Sequence, residues 1–326
     1  MNLSELSKLT EDEARETLER IRWPNGPVCA HCGCTENVTK FKGKKHRAGV
    51  YKCNDCGEQF TVTVNSVMEA SHISIRHWLM AFSILCSAKK GISALQLQRQ
   101  LGLGSYRSAW HLCHRIRHAM SQDPLKGLLQ GDVTADETYV GGKPRKGGRK
   151  IKRNANDMAI VGRGTPKIPV VALVERGGRA RSWPITHVNA KTLKNAIREN
   201  VDPSATIMTD EFISYRGIGK HFEGGHHTVN HGSGEYVRNV EGKKISTNDA
   251  ECYFSLLKRG VMGSFHHISR KHMHRYCNEF SYRWNERKTT DEARTAKAIA
   301  LSGGARLMYQ DPIRTTPKAN DPNAPF

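Results

Sequence analysis

Acidic side chains are in short supply in this sequence. Against 51 Lys and Arg stand 31 Asp and Glu over 326 residues, a formal charge of +20. That imbalance argues against an enzyme of small neutral metabolites and points to a polyanionic partner, nucleic acid first. Long hydrophobic runs are also missing. The longest, over 168–174, is strand-sized and far short of the ~18 to 20 apolar residues of a membrane span. The start, Met1-Asn-Leu-Ser-Glu-Leu, is polar and acidic, unlike a secretory leader, so a cytoplasmic chain with no membrane contact is expected. Hydrophobic residues still make up 37%, enough to bury a core.

The 9 cysteines do not read as a disulfide framework. Four form Cys29-x-x-Cys32 and Cys53-x-x-Cys56, and each pair is followed by a glycine, Gly33 or Gly57. Two such knuckles supply four thiolates to one tetrahedral Zn²⁺, with Zn–S distances of roughly 2.3 Å. A single structural zinc is therefore expected. Cys34 is a spare beside the first knuckle, while Cys86, Cys113 and Cys277 fall in apolar helical patterns and read as core. The acid-free stretch 40–52 suits a solvated hairpin tip or a phosphate contact equally well.

Thr10-Glu-Asp-Glu13 has the form of a capping box opening a helix. Residues 72–120 read as three helices, over about 74–88, 93–101 and 105–120, with Gly102-Leu-Gly104 between the last two. The third offers Arg107, Ser108, His111, Arg115 and His118 opposite its apolar stripe. Two short helices across a glycine-containing turn, the second basic outside, form a helix-turn-helix pattern. Any three-helix bundle could produce it.

From about 130 the pattern changes to strands over 133–140, 158–161, 170–174 and 180–185, with a hairpin signal at 176–179. A helix over 191–200, strands over 205–209 and 227–230, and helices over 247–260 and 268–288 follow. This order is compatible with an α/β domain of ribonuclease-H-like type without requiring it.

Three carboxylates stand out. Asp136 lies within the first of these strands, Asp210 at the end of the strand over 205–209, and Glu251 on the helix opened by Ser246-Thr247. At ~100° per residue, Glu251 and Lys258 project together, about a quarter turn from the apolar stripe Ala250, Phe254, Leu257 and Val261. An all-oxygen donor set suits Mg²⁺ or Mn²⁺, and two such ions would serve phosphodiester chemistry. Spacing alone does not separate these three from ordinary surface acids.

Three motifs carry a resemblance. Asp136-Glu-Thr-Tyr-Val-Gly-Gly-Lys143, Thr209-Asp210-Glu-Phe-Ile-Ser-Tyr215 and Thr247-Asn-Asp-Ala-Glu251-Cys-Tyr-Phe-Ser-Leu-Leu-Lys-Arg-Gly260 resemble the acidic motifs of the zinc-ribbon-bearing family of DDE insertion-sequence transposases numbered fifteen-ninety-five. Phe265-His-His-Ile-Ser269 and Arg283-Trp-Asn285 are similar to that family too, so the likeness covers roughly 10–295. Tyr253-Phe254 departs from its usual Phe-Trp pair and Ala30 from its usual proline. The resemblance implies an α/β chain: a ribonuclease-H-like catalytic domain preceded by a zinc ribbon and a small all-helical helix-turn-helix domain. It assigns Asp136, Asp210 and Glu251 as the catalytic, metal-binding triad, and sets Glu137, Glu211 and Asp249 aside as neighbours of the wrong register.

The expected domains are an N-terminal helix and zinc ribbon (1–66), a helix-turn-helix DNA-binding domain (67–125), the DDE catalytic domain (130–295) and a disordered tail (302–326). The implied activity is binding of double-stranded DNA at element ends, 3′-end cleavage, and joining to target DNA, by a homodimer or higher oligomer in a synaptic complex. A bacterial, nucleoid-associated location follows. Lys258 is expected to hold a phosphate, and Arg107, His111 and Arg115 to contact DNA. The run 143–153 holds seven basic residues in eleven, among them Lys143, Arg145, Lys146, Arg149 and Lys150, and reads as a phosphate-gripping loop. A solubilising insertion explains any single residue there equally well. Asn248 either orders the surroundings of Glu251 or caps its helix. The histidines of the last third lack the spacing of a second zinc site. Two alternatives remain: a catalytically silent DNA-binding regulator, and a stand-alone structure-selective nuclease of the same fold.

Overall fold

Asn2 and Thr10 each accept a hydrogen bond from the backbone N–H three residues on, while Glu5 and Glu13 reach back to the cap. These two capping boxes open α1 (Leu3–Lys8) and α2 (Glu11–Arg22). The protein is seen here as a computed structural model that describes residues 2–42, 46–121, 127–141, 167–240 and 242–309. The expected strand over 158–161 and the basic run 143–153 lie outside the described residues.

After α2, three short antiparallel strands form a small sheet: β1 (Val38–Lys40), β2 (Tyr51–Cys53) and β3 (Gln59–Phe60). Trp23 meets Tyr51 and Phe60 edge-on, at ring centroids of 5.4 and 5.9 Å, and closes its small core. Ser74 and Ser93 then cap α3 (Ile75–Ser87) and α4 (Ala94–Leu101). Gly102, at φ 62°, takes the left-handed turn that ends α4 before α5 (Tyr106–Ser121).

The second half holds β4 (Asp132–Val140), β5 (Ile168–Glu175), β6 (Ala180–Pro184), α6 (Ala190–Asn200), β7 (Thr206–Asp210) and β8 (His226–Val229). A hairpin follows, β9 (Val237–Val240) with β10 (Lys243–Ser246), then α7 (Asn248–Gly260), α8 (Met273–Asn285) and α9 (Asp291–Ala300). The five-stranded sheet runs β6-β5-β4-β7-β8. β4 is antiparallel to β5, and β5 to β6, whereas β7 joins β4 and β8 in parallel. Alternate residues of β4 and β5 face two cores. Val133, Ala135, Val171 and Leu173 pack beneath α6. Val140, Val170, Ala172 and Val174 pack beneath α7 and α8.

The described residues fall into two compact units. One draws on Met1–Ala88, Ile92–Asp123 and Thr289–Phe326, the other on Lys89–Gly91 and Pro124–Lys288. This changes the expected boundaries in two ways. The zinc ribbon and the helical segment, expected as separate domains, cluster as one unit. The second unit runs to Lys288, and α9 packs on α2, α3 and α5 of the first. The sequence reading missed α9 as an element. Arg294 fixes it by donating to the carbonyl of Cys86, at 3.1 Å.

The tail also begins later than expected. Ser302 and Ala305 are buried, and the N–H of Gly304 donates to the carbonyl of Asn65 at 2.8 Å. Residues 310–326 lie outside the described residues.

The returning segment corrects the reading of α5. Tyr309 lies against Trp110 and His111, and the Arg107 guanidinium sits 5.4 Å from its ring. Arg115, expected on the outer face, is buried; it donates to the Glu69 carbonyl and stacks over Trp78 at 5.4 Å. Burial holds its guanidinium down at about 10. Of the basic face read from sequence, Arg107 is exposed and His111 is half-buried. Among the described residues, no helix is long and apolar enough to cross a membrane.

Candidate active site and metal centre

The four cysteines of the two knuckles converge. Gly33 and Gly57, at φ 81° and 75°, turn the chain back so that their N–H groups donate to the carbonyls of Cys29 and Cys53. Cys29 Sγ lies 3.7 Å from Cys56 Sγ, and Cys32 Sγ 3.6 Å from Cys53 Sγ. Sulfurs at the corners of a tetrahedron about zinc, with Zn–S near 2.3 Å, stand about 3.8 Å apart. The set therefore fits one structural Zn²⁺. Backbone N–H groups of Cys56 and then Asp55 pull the Cys53 thiol down to about 7, toward the thiolate that zinc requires. Cys34 lies outside this set, though its sulfur is within 4.8 Å of Cys53 and Asp55 ligand atoms.

The carboxylates are positioned by strand register. The parallel ladder pairs Asp132 with Thr206, Val133 with Ile207 and Thr134 with Met208. Asp136 and Asp210 each lie two residues beyond the last of these pairs, on neighbouring strands, and the charge of Asp210 acts on Asp136. Opposite Asp136 on the other side is Ala172 of β5, buried in the core beneath α7 and α8. Strand alternation puts Asp136 on the face that carries Val140, the face covered by α7. Asp210 shares its face with Met208, which packs on Ile245 just before α7.

Glu251 lies in the first turn of α7, exposed, and Thr247 Oγ1 donates to its Oε1 at 3.1 Å. Thr247, not Asn248, takes the N-cap position, so the capping alternative for Asn248 falls away. Two residues on, buried Tyr253 fixes the rotation of the helix. Its hydroxyl lies 2.5 Å from Ser182 Oγ on β6 and 3.0 Å from Ser281 Oγ on α8. A tyrosine in an apolar helix stripe needs such partners, which is the signal that could have located this anchor.

Asp136 is strongly perturbed. Its edge reaches solvent, yet the protein around it removes enough water to push it up to about 8. Desolvation is the largest cause, followed by the charges of Glu137, Asp210 and Glu251, against one N–H donated by Glu137 at 2.7 Å. All three charged neighbours named here are acidic, an arrangement that a divalent cation would relieve. The all-oxygen donor set fits Mg²⁺ or Mn²⁺. The three carboxylates stand farther apart than the cysteines: among the described residues, ligand-atom clusters within 4.8 Å are found at the zinc ribbon.

The neighbouring acids have other partners. Glu137 points to the opposite face and accepts from the Tyr215 hydroxyl at 2.7 Å. Asp249 lies 3.8 Å from Arg176, and Asp132 binds both Arg176 and Lys243, at 3.1 and 2.6 Å. Glu211 is exposed. Lys258 lies exposed on the same side of α7 as Glu251. Lys143, Arg145, Lys146, Arg149 and Lys150 lie outside the described residues.

Comparison with known proteins gives two matches in chain order. The transposase zinc-ribbon domain matches residues 9–59, and the ISXO2-like transposase domain matches residues 128–285. The chain belongs to this transposase family. A relative from Halobacterium salinarum, an "Uncharacterized protein in transposable element ISH50", is 28% identical over 255 residues, 77% of this chain and 83% of that protein. The Mos1 strand transfer complex aligns with 69% of this transposase and 74% of its own chain, at 12% identity and a TM-score of 0.28. A pre-cleavage Mos1 transpososome covers 93% and 97% at 14% identity, with a TM-score of 0.19. Both scores are below the level at which two folds correspond. The ISXO2-like match spans β4, β7 and α7 and so contains all three acids; the zinc-ribbon match contains all four cysteines.

Proposed function

We propose that this transposase cleaves the 3′ ends of its element and joins them to target DNA with Asp136, Asp210 and Glu251 as its metal-binding acids. The observation that supports this is that Asp136 and Asp210 lie on neighbouring parallel strands just beyond their ladder, and that the charges of both Asp210 and Glu251 act on Asp136. Three antiparallel strands continued by two parallel ones, with helices on both faces, support a ribonuclease-H-like reading of the domain.

On this reading the three carboxylates hold divalent cations. Asp136, Asp210 and Glu251 would hold Mg²⁺ or Mn²⁺, which would supply activation of a water or 3′-hydroxyl and charge neutralisation at the leaving oxygen. Asp136 and Asp210 approach from the sheet and Glu251 from the helix. Their accumulated negative charge is poised for cations and repels an unneutralised phosphate. Lys258, two turns beyond Glu251, offers a cation to the backbone of the bound strand. The zinc ribbon, α4 and α5 supply end recognition in the manner of a helix-turn-helix, with Arg107 at the exposed start of α5. Double-stranded DNA is the partner, bound by at least two copies so that both ends are held, in the cytoplasm at the nucleoid.

The deciding experiment is strand transfer with Mg²⁺ or Mn²⁺, using linear DNA carrying the flanking ends and a supercoiled target. Joined products that vanish in Asp210→Ala are expected. Binding without cutting or joining by folded, zinc-loaded protein would leave a DNA-binding regulator instead. Cutting without joining would leave a nuclease.

A further inference from the structure

The helix that carries Glu251 continues beyond it as an exposed track. At about 100° per residue, Glu251, Ser255, Lys258 and Met262 fall on one line, at spacings i, i+4, i+7 and i+11. All four are exposed, and Met262 is the extreme case at 73%, the highest among the exposed large apolar side chains of the described residues. A single exposed apolar residue needs no explanation on its own. Its setting here does.

The backbone around Met262 is held rather than frayed. α7 widens into one π-helical turn, Val261–Phe265, of a kind frequent at functional sites. Val261 on one side is buried. Phe265 on the other packs edge-on against Tyr276, at 4.7 Å, and Ser264 Oγ donates to the Gly91 carbonyl at 3.1 Å. The turn ends at His266, a non-glycine residue at φ 58°. A Cβ at Gly263 would meet nothing within 4 Å, so the chain beside Met262 is open to close approach. Met262 is thus an apolar side chain held outward from an anchored turn.

The charge of the sequence around it has one sign. The 27 residues 252–278 contain no Asp or Glu but include Lys258, Arg259, Arg270, Lys271 and Arg275. That complements a phosphate backbone and offers nothing to an apolar protein surface. Along α7, Met262 lies about 16 Å from Glu251 at 1.5 Å rise per residue. At about 3.4 Å per nucleotide, this is roughly five steps along one strand.

From this geometry we infer that the DNA strand entering the active site lies along this track, and that Met262 inserts as an apolar wedge which unstacks a base step about four to six nucleotides from the scissile phosphate. Lys258 holds the backbone between them. Apolar side chains inserted from basic surfaces unstack and kink DNA in this way. Met262 would act as a positioning residue that fixes how far the strand advances past Glu251. The inference rests on the proposed DNA-cleaving function.

The test uses the full-length, zinc-loaded protein and duplexes carrying the element's flanking end. 2-Aminopurine is placed singly at each position within about eight nucleotides on either side of the scissile phosphate. A fluorescence rise confined to one or two adjacent positions, about four to six nucleotides away, is expected. The rise should disappear in Met262→Ala and persist in Met262→Leu. Cleavage by Met262→Ala should fall about ten-fold and recover on a duplex with an abasic nucleotide at the responsive position, which a merely structural defect would not allow. A flat profile in wild-type protein that still cuts, or a rise unchanged in Met262→Ala, would overturn the wedge and leave the cleavage function standing. Absence of cutting by wild-type protein would overturn both.

Discussion

Asp136 and Asp210 each lie two residues beyond the last pair of the ladder between two adjacent parallel strands, Thr134 with Met208, and the charge of Asp210 acts on Asp136. Because β7 is also paired in parallel with β8, Asp210 ends an internal strand rather than an edge. The same register buries Val133 and Ile207.

The first consequence is catalytic. Asp136→Asn, Asp210→Asn and Glu251→Gln should each lower DNA cleavage by roughly 10³-fold or more while leaving DNA affinity within about three-fold. A cleavage assay beside a binding titration checks both halves. Glu137→Gln, which changes the partner of Tyr215 on the opposite face, should act on stability more than on rate.

A second concerns pH in the absence of divalent ions. A carboxyl raised from 3.8 to about 8 keeps its proton in the folded chain where the unfolded chain has lost it. Stability therefore falls as pH rises through that window, and is greatest below it. Asp136→Asn removes the loss and should be more stable than wild type at pH 8 by about 1–2 kcal/mol, with a smaller difference at pH 5. Thermal melts in chelator measure this. Added Mg²⁺ or Mn²⁺ should raise the wild-type midpoint and leave that of the variant almost unchanged.

The zinc ribbon gives the third. Metal analysis should find one zinc per chain. Cys53→Ser should lose it and unfold the three-stranded sheet, since a small sheet with so little apolar core depends on its metal. Cys34→Ser should keep the zinc.

A buried ion pair gives the fourth. Glu279, fully buried, accepts from Arg283 at 2.5 Å, and Arg283 lies over the Phe280 ring at 4.4 Å. Glu279→Ala would strand the arginine charge and should cost about 3–5 kcal/mol in urea unfolding. Replacing both residues with apolar ones of similar size should restore most of that loss.

Salt supplies the last. Binding to DNA should weaken steeply as salt rises, and Lys258→Ala should reduce the slope of log affinity against log salt by about 1. A flat response would contradict the role that the net charge suggests.

Local chemistry made much of this chain legible from its residues. Two CxxC knuckles with trailing glycines specify a tetrahedral sulfur site because both turns are local. Thr10 with Glu13, Ser74 and Ser93 mark helix starts because a cap bonds only to the next turn. The alternation along β4 and β5 and the apolar stripe of α7 predict which faces are buried. The three acidic motifs identified which carboxylates to compare.

Other features depend on residues far apart in sequence. That Asp136 and Asp210 lie on neighbouring strands follows from a parallel pairing across more than 70 residues, which no periodicity reports. Arg115 looked like part of a basic outer face because α5 alone is amphipathic. Its burial is decided by Trp78 and the Glu69 carbonyl, and Tyr309 returns against the exposed start of the same helix. Likewise residues up to 295, expected to close one domain, lie in α9, which packs in the other unit, since a short amphipathic helix specifies that it must bury a face but not against what. Sequence thus determined the ligands, the caps and the candidate acids, whose chemistry is local. Tertiary structure decided which of them share a face, because register and packing are set by contacts that exist only once the chain has folded.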